Sequence, residues 1–187
     1  MSDYMAAEIR IGGSILQSTV APLCDAICQQ NVSLEWGDSL FVPTSAVELL
    51  DACQEIDGVK LLRLCDDQAT WGEFDELEEF LQQRLVSYRR HRDGKFEHDS
   101  EVVEYRSHLG LVRTLASKSS EELVPLQPVR EAESLIEVAA AHFKDKRLDA
   151  GRKLVHQAVQ HLQKHLPPVV PPLQHFEIRG VCHVATA

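Results

Sequence analysis

The chain contains 187 residues, of which 44% are hydrophobic and 26% are charged, a composition typical of one globular domain or of one domain with an appendage. Its net charge of -10 disfavours nucleic acid and anionic membranes as partners, and no apolar run approaches the roughly 20 residues that a membrane helix needs. Because the first residues also lack the basic start and apolar core of a signal peptide, we expect a cytoplasmic protein without membrane association.

The first hundred residues contain two similar units, each with a strand, a polar corner, an amphipathic helix and a second strand. In the first unit a strand at residues 9–11 leads into Gly12-Gly13, and a turn signal at residues 36–38 closes the unit. The helix between them has an apolar stripe at helical spacing, which consists of Val20, Leu23, Cys24, Ile27 and Cys28.

An additional helix is predicted between the two units. Ser45 and Glu48 have the spacing of a capping box, in which each residue satisfies a free backbone N–H of the first helical turn. Apolar residues follow at helical period, and Gly58 then allows the chain to turn. The sequence therefore predicts one inserted helix that starts near residue 46.

The second unit starts with a strand at residues 61–64 and continues through a polar corner into an acidic helix. A second strand follows, and Asp93-Gly94 after it favours a tight hairpin turn. Residues 101–106 are predicted to add one further strand. The helix between the strands has an apolar stripe that consists of Phe74, Leu77, Phe80, Leu81 and Leu85.

Two successive βαβ units predict an α+β domain over residues 1–116 with a ferredoxin-like, split βαβ sheet. In this arrangement the strands at residues 9–11 and 61–64 are parallel neighbours in the middle of the sheet, and both helices cover one face. The alternative is a small three-layer α/β sheet, which the rule of right-handed crossovers also permits.

Residues 125–166 are predicted to form a helical hairpin packed on this domain, because apolar residues recur every three or four positions on both sides of a polar break. Residues 139–159 resemble one tetratricopeptide-type repeat, a helix pair that normally stacks on further pairs. If the hairpin does not cover the sheet, its apolar face is a partner surface. Residues 167–187 are predicted to be a proline-rich extended tail.

A candidate ligand site follows from the parallel arrangement of the two central strands. The loops that leave parallel neighbours emerge at the same edge of the sheet, where free backbone N–H groups attract anions and carboxylates attract a cation. A phosphate bridged by magnesium would suit both groups. The predicted site consists of Gly12, Gly13, Ser14, Gln17, Asp66, Asp67, Gln68, Trp71 and Glu73.

The competing interpretation of these residues is purely structural. Gly12-Gly13 is a turn without the pattern of a known phosphate loop, Asp66 or Asp67 caps the next turn, and Trp71 anchors the core. This interpretation needs no ligand, and we favour it.

The remaining reactive side chains indicate neither a metal site nor a cofactor. The five cysteines form no Cys-x-x-Cys pair, and the acidic neighbours of Cys65 raise its pKa instead of activating the thiol. His161 and His165 are spaced to share a metal but lack an evident third ligand. No nucleophile motif is present, so a catalytic role is disfavoured.

We therefore expect a non-catalytic protein-interaction or small regulatory binding module, with a protein partner or self-association. Residues 66–79 carry seven carboxylates and no Lys or Arg, whereas residues 84–95 are basic, and opposite patches of this kind favour docking. The alternative is a divalent-metal-dependent enzyme or ligand sensor that acts on a phosphorylated small molecule at the predicted site. A weaker alternative is RNA binding through the strand from Arg89 to Lys95.

Overall fold

The computed structural model describes residues 4–95, 99–117, 119 and 121–180, and its contacts divide the chain into two compact units. The sheet unit contains the described residues up to 121 together with 170–180, and the helical unit contains residues 122–169. The helical unit is therefore an insertion, because the chain leaves the sheet unit after residue 121 and returns to it at residue 170. In the part of the chain that the structure describes, no helix is long and apolar enough to cross a membrane.

The sheet unit is built on six antiparallel strands, with a small two-stranded sheet beside them. The six strands lie in the order β3-β4-β1-β5-β6-β7, and β2 pairs with β8 in parallel. The strands are β1 (Tyr4–Gly12), β2 (Ser14–Leu16), β3 (Cys53–Ile56), β4 (Val59–Thr70), β5 (Ser87–Arg92), β6 (Glu101–Arg106), β7 (Gly110–Leu115) and β8 (Glu177–Arg179). The helices of this unit are α1 (Val20–Gln29), α2 (Ala46–Asp51) and α3 (Asp75–Gln83), and a 3-10 turn spans Gln17–Thr19.

The mixed α+β architecture is confirmed, but the predicted parallel pairing of the two central strands is wrong. Strands β1 and β4 are neighbours, yet they are antiparallel, with Ile9 opposite Leu64 and Ile11 opposite Leu62. The strand predicted after α1 is missing, since Ser33 makes only isolated bridges there. A β3-β4 hairpin takes its place and reverses the chain, so a ferredoxin-like topology is not confirmed.

The hydrophobic core lies between the sheet and the helices α1 and α3, which contact each other. Alternation along β1 directs Ile9 and Ile11 to this side, where both are fully buried.

The predicted inserted helix is confirmed as α2, because Ser45 Oγ accepts a hydrogen bond from the Glu48 N–H at 3.3 Å. The Glu48 carboxylate accepts bonds from Thr44 in return, and these bonds lower its pKa.

The hairpin predicted at Asp93-Gly94 forms with a different partner and a longer connection. Strand β5 pairs with β6 so that Arg92 lies opposite Glu101, and residues 93–100 connect the two strands. A tight turn at Asp93-Gly94 is therefore wrong. The predicted partner included residues 96–98, which lie outside the described residues, and the actual partner is the segment predicted as a further strand.

Residues 170–179, here called the C-terminal segment, are an integral part of the sheet unit. The Gly13 N–H donates to the carbonyl oxygens of Gln174 and His175, at 3.0 and 3.2 Å. The Phe176 N–H donates to the Lys60 carbonyl at 2.8 Å, and the Phe176 side chain is 3% exposed within the core. What the sequence indicates as an extended tail therefore completes the core. The rest of that predicted tail, residues 181–187 with Cys182, lies outside the described residues.

The helical unit is a pair of helices, α4 (Leu126–Lys144) and α5 (Leu148–His165). The pair is antiparallel, because Phe143 packs on Gly151 near the connection and Glu131 contacts His161 far from it. The predicted helical pair is confirmed. Its buried positions are all small residues: Ala132, Ala139, Gly151 and Ala158.

Candidate functional site

The first half of the predicted ligand site is occupied by the protein itself. The N–H of Gly13, which was expected to be free for an anion, is bonded to the C-terminal segment. A Cβ atom at Gly12 would overlap the carbonyl oxygen of Gln174, so this glycine allows the segment to approach closely. Ser14 lies in β2 opposite Glu177, and Gln17 is exposed at the start of the 3-10 turn.

The two halves of the predicted site are not brought together. Asp66, Asp67 and Gln68 lie within β4, and Asp66 is opposite Ala7. Ala7 and Gly12 are five residues apart on β1, which corresponds to about 17 Å at the rise of an extended strand. The shared edge that parallel strands would have created is therefore absent.

Both aspartates accept a hydrogen bond from a backbone N–H, Asp66 from a neighbouring residue and Asp67 from a distant one. The Asp66 Oδ1 atom accepts a hydrogen bond from the Gln68 N–H at 2.8 Å, and Asp67 Oδ2 accepts one from the Gly37 N–H at 3.0 Å. Partial burial raises the pKa of Asp66, the Gln68 bond opposes this shift, and the neighbouring Asp67 adds to it. The aspartates therefore have structural hydrogen bonds, but neither caps the turn that follows β4, although the structural interpretation expected such a cap.

We expect Asp66→Asn to stabilise the protein at pH 7, where the wild-type carboxylate is ionised, and not at pH 3. The pKa of Asp66 is raised in the folded state, so its ionisation disfavours folding. This cost in folding free energy is absent below the pKa that Asp66 has in the unfolded chain. It grows as the pH rises from that value to the higher pKa of the folded state, and it is constant above the latter. Urea unfolding at pH 3 and pH 7 measures the gain. Equal effects at both pH values would contradict the prediction, and Asp67→Asn is the matched control.

The corner after β4 is shaped by two residues with left-handed backbone conformation. Trp71 has a φ of 58° and Gly72 a φ of 65°. The reversal directs their carbonyl oxygens at the guanidinium groups of Arg92 and Arg90, which donate hydrogen bonds to them. The Trp71 ring is 41% exposed, so it is not the core anchor that the structural interpretation expected.

Glu73, the last residue of the predicted site, belongs to a buried group of charges that we call the Arg90 cluster. Arg90 is fully buried, and its Nε lies 2.8 Å from Glu78 Oε1 in an ion pair whose angle falls short of a hydrogen bond. Its Nη2 lies 3.6 Å from Glu73 and 3.4 Å from Glu101. The cluster consists of Glu73, Glu78, Arg90, Glu101 and Arg113.

Two uncharged side chains, Tyr88 and Gln82, add hydrogen bonds to the Arg90 cluster. The Tyr88 hydroxyl donates to Glu78 Oε2 at 3.0 Å, and Gln82 donates to the Tyr88 oxygen at 2.7 Å. Burial, followed by the nearby Glu78 charge, raises the pKa of Tyr88, so this residue remains a neutral donor. Each carboxylate of the cluster is within 3.6 Å of a guanidinium nitrogen, which makes the cluster a structural device.

The sequence analysis missed the Arg90 cluster, although the sequence contains a signal for it. Side chains alternate across a strand, so Tyr88 and Arg90 of β5 lie on the same face of the sheet. Tyr88 is opposite Ile11 and Arg90 is opposite Ile9, which places both on the core side. The alternation of side chains along β5, which places every second residue on the core side, therefore predicts that Arg90 is buried.

Burial favours the protonated thiol at Cys53 and Cys65 in the sheet unit. Burial raises the pKa of Cys65 to about 12 and the pKa of Cys53 to about 11. The predicted rise at Cys65 is confirmed in direction, but burial is its main cause, and Glu8 and Glu35 contribute more than Asp67 does. On the same face of the sheet, Glu8 is held between Arg10 and Arg63 at 2.6 Å each.

Metal ligands do not converge in the described parts of the chain. Among residues 4–95, 99–117, 119 and 121–180, no group of three or more His, Cys, Asp or Glu side chains is placed to hold an ion. His161 and His165 lie with ring centroids 4.6 Å apart, and His161 Nε2 is 3.0 Å from Glu131 Oε2. These histidines therefore pack within the helical unit.

One face of the helical unit is apolar and exposed. A helix turns about 100° per residue. Around the axis of α4, Ile136 therefore lies about 40° to one side of the buried Ala132, and Glu131 lies to the other side of Ala132. By the same geometry, Val155 and His161 lie on opposite sides of the buried Ala158 in α5. Because Glu131 and His161 contact each other on one side of the helix pair, Ile136 and Val155 both lie on the other side. Ile136, Leu148, Val155 and Val159 are 49%, 54%, 37% and 45% exposed and share this face, here called the helical-pair face.

Comparison with known proteins gives no relative: no family model, curated protein or solved structure matches the chain.

Proposed function

We propose that this protein is a non-catalytic protein-interaction module whose helical-pair face receives an amphipathic helix of a partner protein. The observation that carries the proposal is the contrast within the helical unit. Its two helices meet through alanine and glycine, whereas four branched side chains remain exposed on one face.

The energetics of the pair favour a further helix. Two helices that meet through small residues bury little apolar area, and a unit of this size rarely supplies a sufficient core alone. Full burial of one branched apolar side chain contributes about 1.5–3 kcal/mol. Covering four such residues that are about half exposed therefore contributes about 3–6 kcal/mol before the entropic cost of association.

The charges beside the face indicate the chemistry of the partner helix. Glu133 and Glu137 flank the face on the α4 side, and Arg152 flanks it on the α5 side, as the helical angle of about 100° per residue requires. A complementary helix has apolar residues at i, i+3, i+4 and i+7, with basic residues along one border and an acidic residue along the other.

The other candidate functions receive less support from the geometry. A metal-dependent enzyme or phosphate sensor required the 12–17 and 66–73 segments at one edge, and they lie apart along β1. RNA binding required the arginines of β5, but Arg90 is fully buried and Arg92 donates to the Trp71 carbonyl at 3.0 Å.

The proposal is tested by a photo-crosslinking amino acid at position 155 of the full chain, with position 157 as the matched control. Gln157 is exposed and lies on the opposite side of α5. We expect a partner that is cross-linked from position 155 and not from position 157. With the purified partner, Val155→Glu should weaken binding at least about tenfold, or about 1.4 kcal/mol, and Gln157→Glu should leave it unchanged.

Three results would contradict this function. A partner bound equally well by folded Val155→Glu would exclude the helical-pair face as its binding surface. A cross-link from position 155 only to the sheet unit of the same chain would show that the face is covered internally. A cross-link only to a second copy would replace the heterologous partner by self-association.

A further inference from the structure

A second surface, on the sheet unit, is formed by the outer edge of strand β7. Strand β7 is the last strand of the six-stranded sheet and, among the residues that the structure describes, pairs as a strand only with β6. An edge strand presents backbone N–H and C=O groups that a further extended strand can bond. The opposite edge, β3, is only four residues long and carries the exposed Glu55.

Strand β7 lacks the features by which natural sheets protect an edge. The segment from Gly110 to Leu115 contains no proline and no lysine, and its six pairs with β6 run without a bulge. Its single charge, Arg113, is paired within its own sheet, at 3.2 Å from Glu101 and 3.6 Å from Glu73. In the described part of the chain no further strand lies beside residues 110–114 of this edge, whereas the chain turns back just beyond β7, where the Ser117 N–H donates to the Glu121 carbonyl at 2.8 Å.

Apart from Arg113, the exposed side chains along this edge are apolar. Leu111 and Leu115 are 41% and 54% exposed, and they lie on one face of the sheet because they are four residues apart in a strand. Leu109, in the turn before β7, is 40% exposed. An occupant of this edge is therefore an extended strand with apolar side chains at alternate positions.

We infer that the occupant is β7 of a second copy of this chain, paired antiparallel across a two-fold axis at Val112. A two-fold pairing of edge strands is antiparallel, as is every neighbouring pair in this sheet. It places Leu111 of each copy opposite Arg113 of the other and Gly110 opposite Thr114. No like charges face each other in this register, and two six-stranded sheets become one of twelve strands.

The dimer is weak and its affinity depends on salt. A six-residue edge is small compared with a standard interface, so we expect a dissociation constant of about 10–100 μM. Each copy carries a net charge of -10, so the copies repel each other and screening by salt tightens the dimer. This surface lies on the sheet unit, so the inference is independent of the proposed function.

Sedimentation of the full chain across the micromolar range tests the inference with three variants. We expect the wild type to pass from monomer to dimer. Leu111→Lys places lysine opposite the Arg113 of the other copy and should raise the dissociation constant at least tenfold. Leu111→Glu places an opposite charge there and should preserve the dimer. Val42→Lys, at a 61% exposed position away from β7, is the control and should dimerise like the wild type.

A monomeric wild type at about 1 mM would overturn the inference. A dimer that Leu111→Lys leaves intact would do so as well, because its interface would lie elsewhere. Equal losses in Leu111→Lys and Leu111→Glu would overturn the pairing of Leu111 with Arg113, since opposite charges must act differently there.

Discussion

Replacing Phe176 with alanine should destabilise the sheet unit by about 3–5 kcal/mol, the usual loss for a buried aromatic side chain. Phe176 is 3% exposed and belongs to the main core, although it lies 61 residues beyond Leu115, where the last strand of the six-stranded sheet ends, and after the inserted helical unit. The alanine variant leaves a cavity that the surrounding strands and helices fill only in part. Urea unfolding of the full chain measures the loss.

The control for Phe176→Ala is Glu177→Ala, an exposed residue of the same segment whose backbone bonds are kept. We expect this control to change stability by less than about 0.5 kcal/mol. Truncation after residue 169 should cost at least as much as Phe176→Ala, because it also removes the carbonyl partners of Gly13. A loss below about 1 kcal/mol in Phe176→Ala would show that the segment merely lies on the surface.

Replacing Arg90 with methionine should also cost about 3–5 kcal/mol, the range for breaking a buried ion pair by removal of one partner. Methionine keeps the apolar volume but leaves Glu78 buried without its guanidinium, whose Nε lies 2.8 Å away. The Gly72 carbonyl at the corner loses its donor as well. Thermal and chemical unfolding measure the effect.

A double-variant cycle separates the lost charge pairing from lost packing. Glu78→Gln in the Arg90→Met background removes the uncompensated charge, so the double variant should be more stable than Arg90→Met alone. The control is Arg113→Met, whose side chain is 50% exposed and which should cost less than about 1 kcal/mol. If Glu78→Gln brought no recovery, the effect of Arg90→Met would come from packing alone.

Several local elements were predictable because neighbouring residues determine them. The capping box at Ser45 and Glu48 starts α2 where its spacing indicates. Apolar stripes at helical period identified α1 and α3, since a stripe must face a core wherever that core lies. The helical pair followed from the same rule, together with the short break between its helices.

The candidate site was predictable only in its bland interpretation. Aspartates such as Asp66 and Asp67 tend to bond nearby backbone N–H groups; Asp66 does so at Gln68, whereas Asp67 bonds the N–H of Gly37, thirty positions earlier. Their distance from Gly12 depended on the direction of β4, which the segment itself does not specify. The same residues form a strand whether the neighbouring strand runs parallel or antiparallel.

The sequence by itself determined where the helices α1 to α5 and the strands β1, β4, β5 and β6 form and which helical faces are apolar, because these properties depend on residues a few positions apart. Only the tertiary structure decided strand direction, the burial of Arg90 and the use of residues 170–179 as part of the core. These features depend on pairings between distant segments, as between Ser14 of β2 and Glu177 of β8, which are 163 positions apart. Many arrangements of such segments satisfy the same local pattern. The choice among them is made by complete burial of apolar side chains and full pairing of backbone groups.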